Sequence, residues 1–160
     1  MAALYLALGA AAISRWGNIK TATQIISTIT VLRTAYPENR VNNIIEQLDI
    51  EATVNTIQSA VNDVYKGSES YMIAREYVIK SLERVKFLIE TIQLKTSTYN
   101  SGWKQYIKTL NLSKEEKSLG DEIAILNKRY KRMIELKFVP SSFQPIGTIK
   151  NGMKLMDKRD

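Results

Sequence analysis

Four cations fall within five residues of the stretch NKRYKRMIELK: Lys128, Arg129, Lys131 and Arg132. On a solvated helix face, side chains of these types stay protonated at neutral pH and are not nucleophiles. They bind anions, phosphate above all. Suppose Leu126, Tyr130 and Met133 mark the buried side of a helix. A step of about 100° per residue then points Lys128, Lys131 and Arg132 away from the core and puts Arg129 on the flank. Near the C-terminus Lys150, Lys154, Lys158 and Arg159 add a second group, the three lysines spaced four apart. Arg15 and Lys20 add two cations near the start. These are the candidate polyanion-binding residues. Contacts of this kind carry affinity without sequence preference, and the ligand is a phosphate backbone or a lipid headgroup.

Little else in the chain points to chemistry. Cys and His counts are both 0. That excludes Cys/His zinc sites, disulfides, thiol nucleophiles and histidine acid–base schemes. No Gly-rich phosphate loop, nucleophile elbow or metal-ligand spacing is present. Glu115–Glu116 and Asp121–Glu122 are paired carboxylates, but they fall in the first turns of an expected helix, where the helix dipole favours acids as plain stabilisers. A dimetal bundle site would need Glu-x-x-His pairs. No catalytic residue, metal ligand or cofactor is therefore assigned, and the chain is expected to be non-enzymatic.

The opening MAALYLALGAAAISRW is the other departure from ordinary composition. The first charged side chain is Arg15. A secretory signal would begin with a basic stretch, which is missing, so no cleaved signal is expected. A membrane-spanning helix needs about twenty apolar residues, and this run stops at Ile13. Small residues (Ala2, Ala3, Ala7, Gly9) would allow close helix approach. Leu4, Tyr5, Leu6, Leu8 and Ile13 supply bulk, and Trp16 follows at the polar end. These residues are assigned to assembly or to membrane contact, together with Phe143 and Ile146 near the C-terminus.

The elements that must position these groups are helices. The 160 residues fit one domain, with a net charge of +7 and a pI near 9.5. Charge is segregated: residues 1–37 carry +3, 38–66 carry −3, 67–98 carry +1, 99–139 carry +4 and 140–160 carry +2. No stretch alternates as a strand would. A first helix is expected over Ala2–Ala35. A second is expected over Pro37–Lys66, with a phase slip at Asp49 that implies a bend or a short break. A third runs over Glu69–Ser97, capped by Ser68 and followed by a loop at TSTYNSG. A short helix with Trp103 could follow; Trp103 and Tyr99 are the aromatics placed to stack on bases. A fourth long helix runs over 113–138, opened by a Ser113–Glu116 capping box. Apolar residues step 4-3-4-3 along three of these segments. The best examples are Val78–Leu82–Val85–Ile89–Ile92 and Leu119–Ile123–Leu126–Tyr130–Met133.

The expected fold is thus all-α: an antiparallel bundle of four long helices over residues 1–138. Residues 1–16 form an apolar N-terminal arm, and residues 139–160 a Pro/Gly-punctuated basic C-terminal arm. In general plan this resembles small, basic helical-bundle shell subunits that coat nucleic acid in filamentous virus particles; no residue is carried over from that likeness. The expected function is a structural subunit of a virion or cytoplasmic assembly, with copies of itself or other structural proteins as partners and nucleic acid as a further one. The alternative is a peripheral membrane protein held at an anionic surface by residues 1–16 and the cations that follow.

Overall fold

The computed structural model describes residues 20–63, 65, 67–102 and 110–138. Five helices make up the described residues: α1 (Thr21–Ala35), α2 (Val41–Gln47), α3 (Ile50–Val61), α4 (Glu69–Ser101) and α5 (Ser113–Lys137). None of them is long and apolar enough to cross a membrane. The apolar arm, the short helix with Trp103 and the C-terminal arm fall outside the described residues, as does the part of the expected first helix before Lys20.

α1 buries Ala22, Ile25, Ile29 and Leu32 along one side. Lys20 stands at its N-cap position and makes no side-chain cap. α3 supplies one instead: the Ala22 N–H donates to Gln58 Oε1 at 2.7 Å. One of the first-turn donors that a helix cannot satisfy internally is thereby met across the interface.

The single helix expected over Pro37–Lys66 is two. α2 ends at Gln47 and α3 starts at Ile50, with Asp49 between them in the left-handed region (φ 52°, ψ 46°). Asp tolerates that conformation better than most side chains. The break also accounts for the phase slip. Val41 and Ile45 of α2, and Ile50, Val54, Ile57 and Val61 of α3, all reach the core once the axis has turned between them.

α4 is the spine. Its 33 residues span about 50 Å. Ser68 caps it as expected, its Oγ accepting from Tyr71 N at 3.1 Å. Val78, Leu82, Val85, Ile89 and Ile92 are fully buried. The helix runs on to Ser101, through residues expected to be a loop. Just before the extension Thr96 anchors this stretch: it is 1% exposed, its hydroxyl donates to Ile92 O at 2.8 Å, and the same oxygen accepts from Asn39 Nδ2 at 2.9 Å.

The expected Ser113–Glu116 capping box is not formed. Ser113 is the first helical residue, and its N–H donates to Asn111 Oδ1 at 3.0 Å. Glu116 pairs with Arg40 at 3.3 Å instead. Leu119, Ile123, Leu126 and Met133 are buried as the spacing predicts, with Tyr130 partly so.

Pairs of named residues fix the directions of the helices. Arg33–Glu51 and Ala22–Gln58 run α3 back along α1. Lys95–Glu115 and Ser81–Arg129 run α5 back along α4. At one end of the molecule the start of α1, the finish of α3, the start of α4 and the finish of α5 come together. There Arg75 Nε donates to Val61 O, and Lys137 pairs with Asp63 at 2.7 Å.

Candidate polyanion-binding face

α5 carries the cluster singled out by the sequence. Its buried residues Leu126 and Met133 turn Lys128, Lys131 and Arg132 outward, and all three are exposed. Among the described residues none of the three has a carboxylate within 4 Å. The other end of α5 is different. There Glu115, Glu116, Asp121 and Glu122 each face a cation: Lys95, Arg40, Lys117 and Arg84. The paired carboxylates are thus taken up in ion pairs. The Lys95 ammonium donates to Glu115 and holds its carboxyl below the usual carboxylate range. Among the described residues no group of three His, Cys, Asp or Glu could hold a metal ion.

Arg129 does a different job from its neighbours. It lies partly buried on the α4 side of α5. Its Nη1 donates to the Tyr77 carbonyl at 3.2 Å and to Ser81 Oγ at 2.9 Å. Its guanidinium also sits 5.2 Å from the centroid of the Tyr77 ring. Arg129 therefore ties α5 to α4, and the three exposed cations are the ones free to meet a ligand. Lys80 joins them from α4, its ammonium 5.6 Å from the same ring.

Between the two helices runs a groove of about 480 Å³. Ile73, Ala74 and Leu136 line its apolar part; Ser70, Tyr77, Arg129 and Arg132 line its polar part. Sequence reasoning missed the α4 contribution. The one signal for it is the line Ile73, Tyr77, Lys80, Arg84 at 4-3-4 spacing, an exposed line of α4 outside its buried seam. A second cavity of about 480 Å³ lies at the other end, near Tyr36, Asn39, Arg40, Tyr99 and Glu116. Its polar groups largely serve one another, through Arg40–Glu116 and Asn39–Thr96.

Of the other sequence-assigned residues that are described, Lys20 and Tyr99 do not line this groove. Lys20 is exposed at the start of α1. Tyr99 lines the far cavity, away from the cations. Arg15, Lys150, Lys154, Lys158 and Arg159 lie outside the described residues. So do Trp103, Leu4, Tyr5, Leu6, Leu8, Ile13, Trp16, Phe143 and Ile146. The chain matches no protein-family model, no curated protein and no solved structure.

Proposed function

We propose that the chain is a non-enzymatic structural subunit of a larger assembly, most concretely a virion/capsid or nucleoprotein shell component. In this reading an antiparallel helical bundle forms the body. The arms at residues 1–16 and 139–160 grip copies of the same chain or other structural proteins. The cationic face of α5 meets nucleic acid.

One observation carries the reading. α4 leaves Phe87 and Leu94 each 67% exposed on the side away from its buried seam. Covering side chains of this size is worth about 1–2 kcal/mol each, which favours a partner surface. The uncompensated positive charge of α5 supports the nucleic-acid part.

Sedimentation velocity on the full chain tests it. Concentration-dependent association is expected, and Phe87→Glu with Leu94→Glu should shift the distribution toward monomer with helical content unchanged. A full chain that stays monomeric at high concentration and ignores DNA and RNA at low salt would overturn the proposal. Flotation with anionic vesicles that is lost on deleting residues 2–13, with oligomers intact, would replace it with the peripheral-membrane reading.

A further inference from the structure

We infer that the groove between α4 and α5 takes an unpaired base of a single-stranded nucleic acid, with the flanking phosphates on Lys80, Lys128, Lys131 and Arg132. The inference rests on the reading that this face meets nucleic acid, and it adds which kind and how.

Two features set this face apart from a plain cationic surface. First, two cations, Arg129 and Arg132, line one recess together with apolar residues. Ile73 and Leu136 come from different helices and line the same groove, with Ala74 beside them and Arg132 at the edge. Duplex DNA offers such a recess no free base face, because its bases are stacked inside and only their edges reach the grooves. A single strand offers both a phosphate and a base that can turn into an apolar recess. The groove volume of about 480 Å³ lies in the ordinary range for small-ligand pockets.

Second, the aromatic at the groove is not a free stacking platform. The Tyr77 ring already has Arg129 and Lys80 within 6 Å of its centroid. The Arg129 guanidinium is held further by the Tyr77 carbonyl and by Ser81, which is 0% exposed. Tyr77 therefore works as a post that gathers cations. The base contact falls to the aliphatic residues, Ile73 above all, which is 51% exposed. The Ser70 hydroxyl supplies a hydrogen-bonding group without fixing base identity. Pairing within the protein leaves the cations available: Lys128, Lys131, Arg132 and Lys80 have no carboxylate within 4 Å among the described residues.

Fluorescence anisotropy with the full chain at low salt tests this. The probes are a labelled oligothymidylate, a strand of equal length built from abasic residues, and the thymidylate strand annealed to oligoadenylate. The oligothymidylate should bind roughly 5- to 15-fold tighter than the abasic strand, the range expected for covering one half-exposed aliphatic side chain. Ile73→Ser should narrow that ratio toward one while leaving abasic binding and helical content unchanged. Equal binding of the two strands would overturn the inference but leave the polyanion reading standing. Tighter binding of the duplex would do the same. No binding of any probe would overturn both. Binding to phosphatidylserine vesicles that depends on Ile73 and that oligothymidylate cannot compete away would assign the groove to a lipid and overturn the inference.

Discussion

Arg75 Nε donates to the Val61 carbonyl oxygen at 2.9 Å, from a side chain that is 2% exposed. Val61 is the last residue of α3, so this oxygen is one of the carbonyls a helix leaves without an internal partner. α4 thus closes the end of α3 with its own first-turns arginine. Burial pulls the guanidinium pKa down from its ordinary value, while Tyr71 and Glu76 pull it back up. Arg75→Leu keeps apolar bulk and removes the donor. It should cost about 1–3 kcal/mol, the penalty for stranding a buried acceptor. A urea midpoint equal to that of the parent chain would show that the carbonyl needs no partner there.

Two glycines should respond with opposite sign. A Cβ at Gly67 would lie 2.6 Å from Tyr65 Cε2 and 2.9 Å from both Cβ and Cδ2 of Tyr71. The Tyr65 ring end can swing aside. Tyr71 is 0% exposed and cannot. Gly67→Ala should therefore destabilise by about 1–3 kcal/mol, as overpacking does. Gly120, inside α5, has nothing within 4 Å of its added Cβ. Gly120→Ala should stabilise by about 0.4–1 kcal/mol, by restricting the unfolded chain and improving helix propensity. Paired thermal melts settle both signs.

The Lys95–Glu115 pair predicts a pH dependence. Its hydrogen bond is the main cause holding the Glu115 carboxyl below the ordinary glutamate value of 4.5. A group whose folded pKa is depressed gives stability that is complete above its unfolded pKa and is lost as pH falls through the folded one. The parent chain should therefore lose this contribution as pH drops below about 4.5. Glu115→Gln should lack that component of the acid limb and show a smaller fall in stability over the same window. Identical acid limbs for the two proteins would remove Glu115 from the account.

Salt dependence separates the exposed cations from the strut. Replacing Lys128, Lys131 and Arg132 together with Gln should lower the slope of log K against log salt for a single strand by roughly 2, at about 0.7 per lost phosphate contact. Thermal stability should move little, since exposed side chains without partners contribute under about 0.5 kcal/mol each. Arg129→Gln should reverse the pattern, with stability falling and the slope barely changing. If the triple variant keeps the parent slope, phosphates bind elsewhere.

The long seams were legible because their signal is local. Val78 to Ile92 on α4 and Leu119 to Met133 on α5 step 4-3 in the sequence and are buried in the fold. The break at Asp49 was legible for the same reason, as a slip in phase. What failed was local chemistry overruled from a distance. TSTYN reads as a loop on propensity, yet the helix continues to Ser101, past Thr96, which Asn39 anchors from 57 residues away. The Ser113–Glu116 box is a sound motif, but Arg40 takes Glu116. At the candidate face, the helical angle put Lys128, Lys131 and Arg132 outside correctly. It could not show that Arg129 would be bound by Tyr77 and Ser81, or that Lys80 would join from α4, because those relations depend on which helices become neighbours.

The meeting of the start of α1 and the finish of α5 at one end of the described body has a mechanical consequence. Lys20 opens α1 and Phe138 follows α5, both where α3 finishes and α4 begins. Tension applied between those two residues would fall first on the Ala22–Gln58 hydrogen bond and the Lys137–Asp63 ion pair. Helices loaded in this way peel turn by turn instead of sliding past one another along their length. The far end, with Arg40–Glu116 and Asn39–Thr96, carries no load until the peeling front arrives. A pull applied between Lys20 and Phe138 would thus unzip this body from one end.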